Sequence, residues 1–164
     1  MILAVHHLSQ TRSLRDSEDV LRSFDEAFEY HPGEEVHAQA TWLVFEEEGA
    51  SVPVSMLEVS ANLENGLGGV VWFAGWNDAN RFKENPEDLQ DDLGEYFWVS
   101  DVEKPPAFDP EVISDHDSAL YFDPRGVLPV TEIRSVVEEF SQLMGNRPTR
   151  ISWLPGRQDG SRLS

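Results

Sequence analysis

The sequence predicts an α+β domain, a mostly antiparallel sheet of about six or seven strands with two main helices packed on it. Short apolar runs alternate with polar residues in several segments, which is the period of half-buried strands. Two segments instead repeat apolar residues every three or four positions, as amphipathic helices do. The length of 164 residues fits one domain. We therefore expect a single domain over residues 1–154 and a flexible tail, rich in Gly, Arg and Ser, over residues 155–164.

The first elements are a strand and a helix. Residues 2–8 predict the strand, and Asp16 or Ser17 is the expected N-cap of the helix. Acidic residues follow in the first turn, where the helix dipole favours negative charge. The apolar stripe of this helix consists of Val20, Leu21, Phe24, Ala27 and Phe28. We expect the helix to end at His31-Pro32-Gly33.

Three strands are predicted next, in an antiparallel meander. Residues 36–44 alternate between apolar and polar side chains. In residues 52–61, one face is mostly apolar and is expected to point to the core: Pro53, Ser55, Leu57, Val59 and Ala61. A Gly-rich turn at residues 65–69 leads to residues 70–74, a strand expected to be buried on both faces.

The second half begins with a polar loop at residues 75–93, followed by strands at 94–99 and 119–122. The clearest helix begins near Pro129, a good first-turn residue. Its predicted buried stripe is Val130, Ile133, Val136, Val137, Phe140, Leu143 and Met144. Gly145 suits the C-cap position, and residues 151–154 predict a final strand.

Charge and composition narrow the classes of partner. The net charge is −19, and residues 1–124 carry 27 acidic against 6 basic side chains. Such a field repels nucleic acid and anionic lipid and speeds encounter with basic proteins, although acidity also aids solubility. There is no cysteine, and residues 1–8 have neither the basic start nor the apolar length of a signal peptide. We expect a cytoplasmic protein that binds neither nucleic acid nor membrane.

Catalytic and cofactor motifs are not found in the sequence. The Gly-rich turn at residues 65–69 precedes a strand and lacks the Lys-Ser or Lys-Thr of a phosphate loop. No serine lies in a nucleophile elbow. The triplet Asp115-His116-Asp117 suggests a metal, but no further ligand stands at a recognised spacing, so a solvated loop is the simpler interpretation. We predict no catalytic residue, no metal site and no cofactor.

The polar loop is the strongest candidate for a binding surface. Trp76 follows Gly75 at its edge, and tryptophan is enriched among interface anchors, although core packing is the more common role. Loops on a rigid scaffold often carry binding residues, so a protein-binding patch competes with a merely solvated loop. The predicted contact residues are Trp76, Asp78, Glu84, Glu87, Asp88, Asp91, Asp92 and Glu95. The other four tryptophans lie in predicted strands and are expected in the core.

The carboxy-terminal block resembles a known family. Residues 127–130 (Val-Leu-Pro-Val) begin a helix, a Gly-Asn-Arg-Pro corner stands at residues 145–148, and a strand reaches Trp153. This order resembles the first-numbered immunity-protein family of bacterial polymorphic toxin systems. The specific part covers about residues 127–153. In the family, the Arg147-Pro148 corner and Trp153 look like fold-defining elements.

The resemblance implies an antitoxin that binds and neutralises a cognate toxin domain, often a deaminase or nuclease with a basic substrate groove. We therefore predict a non-enzymatic immunity protein whose acidic surface covers the toxin's active site. A second hypothesis is a small-molecule-binding protein or enzyme, with a pocket on the sheet near His37, Trp72 or Tyr96. A third is an adaptor for a non-toxic partner.

Overall fold

The computed structural model describes residues 1–75, 78 and 96–163. These residues form ten strands and two α-helices in one chain order. The elements are β1 Ile2–His7, β2 Gln10–Leu14, α1 Ser17–Ala27, β3 His37–Phe45, β4 Ser55–Asn62, β5 Leu67–Ala74, β6 Phe97–Asp101, β7 Ile113–Asp115, β8 Leu120–Tyr121, β9 Leu128–Pro129, α2 Val130–Gln142 and β10 Ser152–Gly156. The predicted α+β class is confirmed.

The main sheet has eight strands in the order β10-β6-β5-β4-β3-β1-β2, with β9 paired to β5. Every described pair in it is antiparallel. The strands β7 and β8 form a separate two-stranded sheet. Sequence patterns missed β2, β7 and β9. The first is a polar edge strand with a single buried residue, Leu14, and the other two are too short to show a period.

Both helices pack on one side of the sheet, which we call the helix face; the opposite side is the open face. Side chains alternate between the two sides along each strand. Trp42, Leu57 and Trp72 point to the helix face and are fully buried there. Ala61, Val59 and Ser55 share that face. Four of the five residues predicted to face the core lie in β4, and the prediction is confirmed for them; the fifth, Pro53, precedes the strand.

The first helix starts where its cap predicts. The Asp16 carboxylate accepts a hydrogen bond from the Asp19 amide at 2.9 Å, which satisfies one of the free amides of the first turn. Phe24 and Phe28 stack on Trp42, whose indole N–H donates to the Ser23 hydroxyl at 3.1 Å. The helix ends at Ala27, a few residues before the predicted stop, because the chain leaves the helical region at Phe28.

The second helix buries Ile133, Val136, Val137 and Phe140, as its period predicts. The predicted burial of Leu143 and Met144 is wrong, since these side chains are 42% and 38% exposed. The helix ends at Gln142, and Met144 adopts a left-handed conformation with φ of 46°. The Met144 and Gly145 amides donate to the Ser141 and Phe140 carbonyls, a Schellman motif in which Met144, not Gly145, occupies the C′ position.

Adjacent substitutions at this corner are expected to have opposite effects. Met144→Gly removes a left-handed strain that glycine does not have, and should raise the free energy of unfolding by about 1 kcal/mol. Gly145→Ala should lower it by about 2–4 kcal/mol. A Cβ there would lie 2.3 Å from the Ser55 hydroxyl and 2.9 Å from a Val44 methyl, at φ of +93°. Urea unfolding of both variants tests this; equal effects would contradict the assigned positions.

A second apolar cluster lies on the open face. It contains Val71, Val99, Val112, Phe122 and Val127. The Phe122 ring is 3% exposed and lies against three glycines, at which a Cβ would come within 2.6 Å (Gly69), 2.9 Å (Gly126) and 2.2 Å (Gly160) of it. The segment after β6 therefore crosses the open face and is fixed there by one buried ring.

The flexible tail predicted for residues 155–164 stays a prediction, and the structure describes contacts for residues 155–163. Strand β10 continues to Gly156, and residues 157–163 turn back on it through an Arg157–Ser161 backbone bond of 2.9 Å. The Arg162 guanidinium, 9% exposed, binds the Asp101 carboxylate at 2.7 Å. In these contacts, Gly156 and Gly160 allow close approach to Val99 and Phe122.

Candidate functional site

Residues 76–95 lie in the sequence between the neighbouring strands β5 and β6, and we call this segment the acidic loop after its predicted structure and charge. Of the eight predicted contact residues, the structure describes Asp78, which is half-buried and whose amide donates to the Gly75 carbonyl at 2.9 Å. The other seven lie outside the described residues: Trp76, Glu84, Glu87, Asp88, Asp91, Asp92 and Glu95. Gly75 and Tyr96 are thus the described residues that flank this segment in the sequence.

An apolar band crosses the open face beside these ends. Leu43, Met56 and Phe73 are cross-strand neighbours on β3, β4 and β5. The Phe73 ring stacks on Phe97 of β6 with centroids 4.6 Å apart. All four side chains are half-buried, and the two described helices pack on the other face. Half-exposed aromatic and methionine side chains of this kind are enriched at the cores of protein interfaces.

A polar pocket of about 440 Å³ lies next to the band. Its lining combines strand residues with the carboxy-terminal turn: Gln39, Glu58, Ser114, Asp115, Arg157, Gln158 and Asp159. The Gln39 amide donates to the Glu58 carboxylate at 3.3 Å and to the Ser114 carbonyl at 2.9 Å. Burial raises the pKa of Glu58, against the opposing effect of donors from Gln158 and Thr41, and the Asp115 charge raises that pKa further.

Glu58 was not predicted as a site residue. Its face of β4 has the pattern of a solvent-exposed surface, because the opposite face carries the apolar residues. The structure instead covers it with β7 and with the turn at residues 157–159. No signal in the local sequence indicates that two segments so distant in the chain meet above this strand.

The raised pKa of Glu58 makes stability depend on pH in a defined direction. Because the folded protein binds this proton more tightly than the unfolded chain, the free energy of unfolding falls as the pH rises through the carboxyl range. Glu58→Gln should therefore raise Tm at pH 7 by a few degrees, at about 2–4 °C per kcal/mol. The difference from wild type should shrink as the pH is lowered towards about 4.

The control for this prediction is Glu64→Gln, which alters an exposed carboxylate just after β4. Thermal unfolding of the three proteins between pH 4 and pH 8, in steps of about half a unit, gives the comparison. Parallel Tm curves for wild type and Glu58→Gln would show that Glu58 ionises as an exposed carboxylate does.

Of the residues named for a small-molecule pocket, His37 and Trp72 lie on opposite faces of the sheet. Trp72 is fully buried on the helix face, where its indole N–H donates to the Gly145 carbonyl at 3.0 Å. His37, at the start of β3, belongs to the open face. The Tyr96 ring meets Trp98 edge-on at 6.2 Å. The sheet itself separates His37 from Trp72, so no single pocket contains both.

The triplet at residues 115–117 forms a turn. The Asp115 carboxylate accepts hydrogen bonds from the Asp117 and Ser118 amides at 3.0 and 3.3 Å. The His116 ring lies 6.3 Å from the His37 ring, centroid to centroid. Within residues 1–75, 78 and 96–163, no three His, Asp or Glu side chains are grouped as metal ligands. In the same residues, no helix is long and apolar enough to cross a membrane.

The carboxy-terminal corner is a set of direct contacts. The Arg147 guanidinium lies over the Trp98 ring, 4.6 Å from its centroid, a favourable cation–π distance. The Trp153 indole N–H donates to the Pro148 carbonyl at 2.8 Å. Trp42, Trp72 and Trp98 are buried as predicted, whereas Trp153 is half-buried against the edge of the core.

Comparison with known proteins identifies a family. A protein-family model described as "Immunity protein Imm1" matches residues 9–155. That range includes the sheet from β2 onward, both helices and the corner at residues 145–148. No curated protein matches the chain, and no solved structure does.

Proposed function

The chain belongs to the immunity-protein family described as Imm1, and from this premise we propose that it binds and neutralises a cognate bacterial toxin domain. The observation that carries the proposal is the family match over residues 9–155, nearly the whole chain. Inhibition here is stoichiometric binding rather than catalysis. The protein acts in the cytoplasm, where a toxin of a polymorphic toxin system would reach its target.

The charge supports a toxin that acts on nucleic acid. Such an enzyme, a deaminase or a nuclease, needs a basic groove for its phosphate backbone. A chain with a net charge of −19 complements that groove and raises the rate of encounter with it. We propose that the immunity protein covers the groove, so that the toxin cannot bind its substrate.

The acidic loop of residues 76–95 is the proposed contact. Its acidic residues supply charge, and Trp76 supplies an apolar anchor of the kind that dominates interface energies. The apolar band of Leu43, Met56, Phe73 and Phe97 supports this assignment, since it lies beside the ends of the loop. A mixed patch, apolar at its centre and acidic at its rim, has the usual anatomy of an interface.

The test is a pull-down of the tagged protein against the product of the adjacent upstream gene, followed by co-expression. Stable binding together with restored growth is the expected result. The proposed function would be contradicted if the neighbouring gene product inhibits growth and this protein neither binds that product nor restores growth. Purified protein that carries a bound metabolite instead would favour the small-molecule hypothesis.

A further inference from the structure

A cleft opens on the segment that crosses the open face. Its volume is about 840 Å³. We call it the proline cleft, lined by Pro106, Ala107, Phe108, Asp109, Glu111, Tyr121, Phe122, Asp123, Pro124 and Ser161. None of these residues belongs to the acidic loop of residues 76–95. We propose that the proline cleft is a second docking site for the cognate toxin and receives a basic segment of it; this inference rests on the proposed function.

Two aromatic rings stand exposed at this cleft. Phe108 is 59% exposed and Tyr121 is 55% exposed, and Leu120, next to Tyr121, is 41% exposed. Single exposed apolar residues are common on protein surfaces, but aromatic side chains grouped at a concave site are typical of binding surfaces. Tyrosine is also among the residue types that contribute most to interface energies.

The cleft is preformed in the protein without a partner. Its floor is the buried Phe122 ring, and the Phe122 amide donates to the Val112 carbonyl at 2.8 Å. On the other wall, the Pro110 carbonyl accepts from the Asn65 side chain at 2.8 Å, and Glu111 holds a left-handed conformation with φ of 48°. A preformed site avoids the entropy cost of ordering loops on binding.

The charge of the lining selects the occupant. It contains Asp109, Glu111 and Asp123 and no lysine or arginine. The Asp123 carboxylate is already bound by Arg125 at 2.7 Å, so the negative field comes chiefly from Asp109 and Glu111. Arginine suits this combination, because its guanidinium stacks on aromatic rings while its N–H groups bind carboxylates.

A second copy of this chain fits the cleft poorly. The protein carries a net charge of −19, and an acidic cleft repels an acidic partner.

One toxin domain is large enough to reach both the proline cleft and the acidic loop. Gly69 contacts the floor of the cleft, and Gly75 directly precedes the acidic loop. Six residues of extended chain separate them by about 20 Å. An interface that buries about 800 Å² on each partner is wide enough to span that distance.

The experiment titrates the toxin domain from the adjacent upstream gene into the full-length protein by calorimetry. The variant carries Phe108→Ala and Tyr121→Ala. We expect its Kd to be weaker than that of wild type by about 30- to 100-fold. The control carries Tyr30→Ala and Val52→Ala, which remove side chains that are 46% and 72% exposed elsewhere; its Kd should lie within about 2-fold of wild type.

A second variant tests the charge without removing a ring. Glu111→Gln combined with Asp109→Asn should slow association by several-fold at low salt and lose that effect at high salt. Circular dichroism and Tm establish that each variant is folded.

The outcomes separate this inference from the proposed function. Wild-type binding that neither pair of substitutions weakens would overturn the docking site and leave the immunity function standing. A wild-type dimer that Phe108→Ala and Tyr121→Ala dissociate, seen by sedimentation, would overturn it in favour of a contact between copies. A toxin that wild type does not bind at all would overturn the immunity function, and the docking site with it.

Discussion

Reversing four carboxylates of the acidic loop to lysine, at Glu87, Asp88, Asp91 and Asp92, is expected to slow association with the toxin by about 10- to 100-fold at low salt. The reason is that charges near the proposed contact would steer the encounter, and reversed charges would repel the basic groove proposed for the toxin. Protection of a toxin-expressing cell should fall accordingly. Stopped-flow association and a growth assay measure the two effects.

The matched control reverses four carboxylates on the helix side of the sheet: Glu26, Glu29, Glu132 and Glu138. Both variants have the same net charge, so a difference between them reports the position of the contact and not the overall field. Raising the salt from about 50 to about 500 mM should reduce the wild-type rate steeply, because the Debye length shortens. Equal slowing in the two variants would indicate long-range steering only, and unchanged protection would move the interface away from the loop.

Phe122→Ala is expected to lower the free energy of unfolding by about 3–5 kcal/mol, with a loss of about 6–20 °C in Tm. The ring belongs to the open-face cluster, and the three glycines that lie against it have no side chain that could fill the space it vacates. It also joins the segment after β6 to the carboxy-terminal turn through Gly160. The substitution should therefore loosen both segments together.

Phe108→Ala is the control for this effect. The two phenylalanines lie in the same crossing segment, but Phe108 is 59% exposed and its removal should cost less than about 0.5 kcal/mol. Urea unfolding measures both, and hydrogen exchange at residues 157–163 measures the loosening of the turn. A Phe122→Ala protein as stable as Phe108→Ala would show that the open-face cluster adds nothing to the fold.

The sequence identified the helices and the long strands because their signals are local. A cap at Asp16, stripes at Phe24 and Phe140, and alternation around Trp42 all follow from the side chains of neighbouring residues. The error at the end of the second helix has a long-range cause, because the partners of Gly145 are Ser55 and Val44. Gly145 looks like the C′ residue, but it is needed one position later for close packing, which leaves Met144 in the left-handed conformation.

By itself the sequence determined the fold class, the acidic character and the family resemblance at residues 127–153, since composition, period and a short motif are properties of the chain alone. Only the tertiary structure decided what lies on the open face. Glu58 is covered by residues about 57 and 100 positions further along the chain, and Phe122 meets three glycines from separate segments. Such contacts depend on how distant segments pack against each other, and no local pattern encodes them.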